Sequence, residues 1–497
     1  MLKNIRTLLK DFFFYGIGNS AAKASGIILL PLYLEYISTE EFGLLALYET
    51  VFVVMLTITS VGTKSGLARW YNDVNNPDEK KALFFSVMTF NVFSSFLGII
   101  CISIILYNSS LFNSLNSSLV IVWFCLSSLF KLLFDVPTVL LRLQQKSKTI
   151  TNIQIINIII TLCLTYYFLG VLNDGFIGIF KAQAIANAIS FLIVLPIIIK
   201  NSIWSLKLKM LVELIQYGYP LAISNVLTTG LTLSDRYFIE HYQSLTDVGS
   251  YSMAYKISNL LQFIVVASFI TSYTYNYYKS MNDKGSKAFL VTSFNYFIFL
   301  MTILGLGIIF FSREAIYILS SGDATFYDAI PVIPVLILGL IFSGIRQVFV
   351  LPITKAKKTK IISLVMVLTG LINIGLNFIV IPYYGKVGAA LTTLISQLFA
   401  VIWFLIALDK LKANIYNVRK IALALFVGMV YCVLFFFIPL INIYIDVLIK
   451  ISLLFMCVLT LYVLGFFERD ELEKMLQAWH KWKNISQLKS NISQLKK

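Results

Sequence analysis

The sequence predicts an all-α polytopic membrane protein of about fourteen transmembrane helices, built as two pseudo-symmetric six-helix lobes plus two C-terminal helices. Three observations carry that prediction. Of 497 residues, 58% are hydrophobic and only 13% are charged, against about 25% charged in a soluble domain. The apolar residues fall in continuous runs long enough for a spanning helix, roughly 20 residues, without the alternation of an outer-membrane strand. Of the 40 Lys and Arg, thirty-one lie in alternate links and tails on one side and three lie in the links on the other.

Taken in order, the runs fall near 12–36, 43–62, 83–107, 118–141, 149–171, 176–199, 214–239, 249–275, 288–311, 328–352, 361–381, 385–408, 419–440 and 444–467. Basic residues concentrate on the cytoplasmic side of a membrane, so both termini are expected in the cytoplasm. The net charge of +16 is thereby a topology signal, and nucleic acid is not an expected partner. No cleavable signal peptide is expected, because the first run is long and lacks a small-residue cleavage site. The links on the outer side are short, the longest being near Ser312–Tyr327, which excludes a large external catalytic loop.

Three pairs of landmarks indicate an internal repeat. Ser38-Thr39-Glu40-Glu41-Phe42-Gly43 matches Ser244-Leu245-Thr246-Asp247-Val248-Gly249, an offset of 206. Gln144-Gln145-Lys146-Ser147-Lys148-Thr149 matches Thr354-Lys355-Ala356-Lys357-Lys358-Thr359, and Phe176-Ile177-Gly178-Ile179 matches Lys386-Val387-Gly388-Ala389, both at an offset of 210. A repeat of six helices keeps both lobes in one orientation, related by an axis along the membrane normal. The expected division is residues 1–205 for the first lobe, 206–412 for the second, 413–467 for helices 13 and 14, and 468–497 for a tail. In that tail Leu472, Met475, Leu476, Trp479, Trp482 and Ile485 recur at helical spacing between lysines, the pattern of a helix lying on the inner leaflet.

Several polar residues stand where lipid or core is expected. Gly16, Asn19, Ser20, Lys23 and Gly26 share one face of the first helix. Asn225, Thr228, Thr229, Thr232, Asp235 and Arg236 form a second stripe, on the seventh. Such stripes either join helices or line water; with Lys23 and Arg236 in them, a wet interior face is the expectation. A cation at mid-membrane costs about 2.5–3.5 kcal/mol on insertion scales, which makes Lys23 a candidate functional residue. Lys64, Arg69, Lys131, Lys256 and Arg346 are further candidates. Lys131 and Asp135, four apart on one helix, are expected to neutralise each other, and Lys450 to snorkel to the outer edge. Acids inside spans are few: Glu49, Asp135 and Asp235. The excess of cations predicts a cavity of positive field, suited to an anionic solute such as a diphosphate.

What is missing excludes other chemistry. There is no Gly-rich nucleotide loop, so ATP is not the direct fuel. There are two histidines, His241 and His480, and five cysteines, all within apolar runs and without metal-ligand spacing. No catalytic constellation is visible and the protein is not expected to be an enzyme.

Tyr36-Ile37-Ser38-Thr39-Glu40-Glu41-Phe42-Gly43, the stretch Lys64 to Tyr71, Tyr217-Gly218-Tyr219-Pro220, Ser234-Asp235-Arg236-Tyr237 and Val248 to Lys256 together resemble the polysaccharide biosynthesis and export flippases. These belong to the multidrug/oligosaccharidyl-lipid/polysaccharide exporter superfamily, and the Wzx-like O-antigen or repeat-unit flippases are the nearest group. The likeness runs through the whole chain in order. It implies a fourteen-helix, two-lobed transporter moving an undecaprenyl-diphosphate-linked oligosaccharide, for O-antigen, capsule or a similar polymer, from inner to outer leaflet by alternating access. It implies a diphosphate-binding role for Lys23, and it matches Arg69 and Arg236 to family positions. The substrate-binding candidates are then Lys23, Arg69, Asp235, Arg236, Lys256, Arg346, Lys64, Asn19 and Lys131, with the diphosphate docking among Lys23, Arg69, Lys256 and Arg346. The implied partners are membrane lipids, a polysaccharide polymerase and a chain-length regulator. No bound cofactor is expected; Glu49, Asp135 or Asp235 is the candidate for coupling to a proton or Na⁺ gradient, and the membrane potential favours outward movement of an anion. The rivals are a drug exporter of the same superfamily, a membrane-bound polymerase or ligase, and a scaffold subunit.

Overall fold

In the computed structural model, residue 26 and residues 28–71, 73–109, 118–144, 146–279, 286–437 and 442–468 are described. Lys23 and Asn19, with the tail helix, lie outside them. The described residues are helical almost throughout, and eleven of their helices are long and apolar enough to cross a membrane. One of the eleven, Thr359–Lys410, is two expected spans that meet at Gly385, whose φ of 52° and ψ of −135° break the helix three residues after Pro382. The expected seventh span is a further helix, Leu208–Leu233.

The amino-terminal half comprises α1 (Leu30–Tyr36), α2 (Thr39–Ser60), α3 (Thr63–Trp70), α4 (Pro77–Asn108), α5 (Ser118–Leu143), α6 (Ser147–Tyr166) and α7 (Phe176–Lys200). The carboxy-terminal half comprises α8 (Leu208–Leu233), α9 (Asp235–Tyr242), α10 (Leu245–Leu261), α11 (Ala267–Lys279), α12 (Ser286–Phe310), α13 (Ser312–Leu319), α14 (Ile333–Lys355) and α15 (Thr359–Lys410). Then follow α16 (Val418–Phe436) and α17 (Ile443–Val463). Within the first half α5 packs against α4 and α7, and α6 against α7; within the second, α14 packs along α15, and α12 against α16. The expected outer loop near 312–327 is instead α13 and the start of a tight 3-10 turn, Ala324–Val332.

The two members of the first landmark pair fold alike. Ser38 caps α2: its Oγ accepts from the Glu41 amide at 3.2 Å while its own amide donates to Glu41 Oε2 at 2.9 Å, a capping box that satisfies two otherwise orphaned donors. Ser244 caps α10 in the same register, accepting from the Asp247 amide at 3.1 Å. These two helix starts also pack on each other. A Cβ on Gly43 would lie 2.1 Å from the Leu245 carbonyl, and one on Gly249 would lie 2.1 Å from the Thr39 carbonyl. Only glycine permits that approach.

The halves meet a second time, at the other end of α2. Val61 (φ 42°) and Gly62 (φ 74°) are both left-handed, a conformation that strains a β-branched residue and turns the chain from α2 into α3. At that turn a Cβ on Gly62 would lie 2.0 Å from the Gly218 carbonyl, and a Cβ on Gly66 would meet Leu214. Trp70 and Tyr217 close the same region edge to face at 5.2 Å. The described halves therefore touch through backbone at both ends of α2.

Candidate functional site

The structure pairs most of the interior cations with acids. Lys64 forms an ion pair with Asp135. Lys256 meets Glu49 Oε1 at 3.0 Å, joining α10 of one half to α2 of the other. Lys181 meets Asp174 at 2.8 Å, and Lys386 meets Asp247 at 2.9 Å and Asp328 at 3.1 Å. Lys450 does not snorkel: it is 1% exposed, paired with Glu314 and set near the rings of Phe311 and Phe435. The expected excess of free cations thus shrinks, because the partners come from other helices. Lys64 and Asp135 are separated by 71 positions and Lys256 and Glu49 by 207.

The expected Lys131–Asp135 pair is not formed. Both lie on one face of α5, but the Asp135 carboxylate reaches to α3 and is taken by Lys64. Lys131 is exposed and opens instead into a cavity of about 170 Å³ inside the amino-terminal half. The walls come from α2 (Leu45, Glu49, Phe52), α5 (Phe124, Ser127, Ser128, Lys131), α6 (Asn157, Ile158, Thr161) and α7 (Phe180, Gln183, Asn187), with Leu29 beside them. The amides are held in place: Asn157 donates to Ser190 Oγ at 2.9 Å, Asn187 to Ser127 Oγ at 3.2 Å, and Gln183 to Tyr33 Oη at 3.3 Å. Among the described residues Lys131 makes no ion pair or hydrogen bond.

Asp235 and Arg236 depart from the expected wet stripe. The chain turns at Ser234 between α8 and α9 and carries both side chains inward, where they are 1% and 7% exposed. Asp235 accepts from Tyr251 Oη at 2.9 Å, Asn377 Nδ2 at 2.8 Å and Thr393 Oγ1 at 2.8 Å. Asn377 in turn accepts from Thr392 Oγ1, and Asn373 donates to Thr393 at 3.5 Å. Helices α9, α10 and both arms of α15 thus converge on one carboxylate. Arg236 reaches across the halves to Thr50 Oγ1 at 2.9 Å, bonds Ser252 Oγ at 3.3 Å and lies 5.4 Å from the Tyr255 ring centre.

The four cations expected to hold a diphosphate share no partner among the described residues. Lys23 lies outside them. Arg69 is more than half exposed, bonded to Asp73 at 2.8 Å. Arg346 stays within the second half, bonded to Gln397 at 3.0 Å and Ser343 at 3.2 Å. Lys256 lies on Glu49 with its ammonium 5.1 Å from the Phe42 ring centre. Sequence reasoning missed Asn157, Gln183 and Asn187 on one side and Asn373, Asn377 and Thr393 on the other. Amides spaced four apart inside apolar runs, as in Gln183/Asn187 and Asn373/Asn377, were the available signal.

Comparison with known proteins shows which family this bundle belongs to. The family model for polysaccharide biosynthesis protein matches residues 8–275, and that for MatE matches residues 220–379. The chain belongs to the polysaccharide biosynthesis protein family and is a multi-pass membrane protein. It is 23% identical over 267 residues to an uncharacterized membrane protein of Haemophilus influenzae, the match covering 52% of this chain and 63% of that protein. Among solved structures it is similar to the lipid II flippase MurJ in an inward closed conformation, with a TM-score of 0.70 and 19% identity over 90% of this chain and 99% of the other. It is also similar to an inward-facing multidrug resistance MATE transporter of the MOP superfamily, with a TM-score of 0.65 and 13% identity over 79% and 96%.

Proposed function

We propose that this protein is a flippase that carries undecaprenyl-diphosphate-linked oligosaccharide repeat units from the inner to the outer leaflet of a bacterial inner membrane, with both termini cytoplasmic. The observation that carries the reading is the pairing of a polysaccharide biosynthesis family match over the first half with a lipid II flippase fold over 90% of the chain. Two six-helix lobes rocking about their contacts would expose the interior alternately to each side. The diphosphate docks on cations released as the lobes part. Lys256 is the first of these, because opening the halves separates it from Glu49, and Lys23, Arg69 and Arg346 are the others.

Asp235 is the coupling group in this reading. Its neighbours Asn373, Asn377, Thr392 and Thr393 offer only oxygen and amide ligands, the donor type a hard cation takes, and a carboxylate among them suits Na⁺ or a proton. Binding there would bias the packing of α9 against α15.

The test is export. Purified protein in proteoliposomes should move a fluorescent polyprenyl-diphosphate sugar, faster with an imposed Na⁺ or proton gradient, and Lys256→Met and Lys23→Ala should each slow it by roughly tenfold or more. Normal transport by both variants overturns the docking role. The MatE match over residues 220–379 favours a second reading, drug export, which a resistance phenotype without any polysaccharide defect would establish.

A further inference from the structure

The amino-terminal cavity has chemistry that neither a diphosphate nor a structural ion pair uses. Its volume of about 170 Å³ lies below the roughly 300–1,000 Å³ of a drug-sized pocket, so it takes one ring and not a whole repeat unit. Lys131 supplies an ammonium with three donors, and no acid among the described residues pairs with it: Asp135 is held by Lys64, and Glu49 by Lys256. Asn157 Oδ1 and Gln183 Oε1 accept no hydrogen bond among the described residues, although both amides are anchored through nitrogen. Phe124 and Phe180 stand 5.6 Å apart, edge to face, and give the cavity an apolar wall.

A ligand that satisfies all of these has an anionic group for Lys131, hydroxyl donors for two amide carbonyls, and C–H faces for the phenyl rings. A phosphate fails the second requirement, since it brings oxygen acceptors to the carbonyls and to the Glu49 carboxylate on the same wall. An organic cation fails the first. We propose that this cavity is a subsite for a single carboxylated sugar ring, of the uronic acid type, within the lipid-linked glycan. Lys131 binds its carboxylate, and Asn157 and Gln183 accept from its hydroxyls. The proposal rests on the flippase reading and adds the class of sugar to it.

The test uses the full chain in proteoliposomes and two polyprenyl-diphosphate disaccharides that differ only in the terminal ring, glucuronic acid in one and glucose in the other. The wild-type protein is expected to prefer the acidic probe by roughly tenfold, one charge-assisted contact. Lys131→Met should bring the ratio of the two rates to about one, and Lys131→Arg should keep part of the preference. Equal handling of the probes by the wild type, or a preference that survives Lys131→Met, overturns the sugar assignment while leaving the flippase reading in place. A protein that moves neither probe overturns both. Should Lys131→Met fail to fold, competition on the wild type decides: free glucuronate should slow transport of the acidic probe at about tenfold lower concentration than glucose does, and equal potency overturns the assignment.

Discussion

In the amino-terminal half, Lys131 stands at a cavity beside Asn157 and Gln183, whose carbonyl oxygens accept no hydrogen bond among the described residues. In the carboxy-terminal half, Asp235 is enclosed, and three donors from α10 and α15 converge on it within 2.9 Å. One half leaves a cation beside a cavity; the other encloses an anion among its donors. The difference teaches that repetition of a helical plan does not repeat its chemistry. The capping motifs build the same helix starts, while the polar residues deeper in each bundle differ, one set lining a cavity and the other closing around a carboxylate.

That contrast can be broken most readily at the packed end. Asp235→Ala leaves Tyr251 and Thr393 without this acceptor and Asn377 with only the 3.5 Å bond to Asn373, at about 1–3 kcal/mol for each orphaned buried donor. A large fall in melting temperature in detergent is expected, together with loss of transport; a variant as stable as the wild type would remove the distinction between the halves. Asn377→Leu should destabilise by a similar mechanism and to a smaller extent, because one donor to Asp235 and one acceptor for Thr392 are lost. Next in size is the contact that spans the halves. Glu49→Gln, Lys256→Met and their combination should show a coupling energy of about 0.5–3 kcal/mol in a double-mutant cycle on thermal unfolding, and additive effects would mean that the pair does not hold the halves together. Filling the open half should matter least among interior changes. Lys131→Met removes a group with no bonded partner, and its effect on melting should stay near the ±0.5 kcal/mol of an ordinary surface substitution. Of comparable size, Arg69→Ala breaks an ion pair whose members are both more than half exposed, worth about 0–1 kcal/mol; a larger loss would show that Arg69 contributes more than a surface contact.

Much of the architecture was legible in the chain. Continuous apolar runs leave a helix as the only element able to satisfy its own backbone in lipid. Ser38 to Gly43 and Ser244 to Gly249 were legible as a repeated pair, and the structure makes each of them the capped start of a helix. The break at Val61–Gly62 was not legible, because nothing in a valine next to a glycine requires both to turn left-handed. Charge pairing was the least legible feature. Sequence neighbours suggested Lys131 with Asp135, but ion pairs form between whichever charges the helices bring together. Lys64 came from α3, and Lys256 from the other half of the molecule. The count of interior bases was therefore readable, while the number left without an acid was a property of packing alone.

The places where the halves touch carry a consequence of their own. At Gly43 with Gly249, and again at Gly62 with Gly218, main chain rests on main chain. The closest neighbours at each crossing are backbone atoms, so nothing interlocks at the crossing itself when the surfaces part. A single methyl group added to one of them would act as a wedge, holding the halves apart at that end of α2 while the contact at the other end could still close.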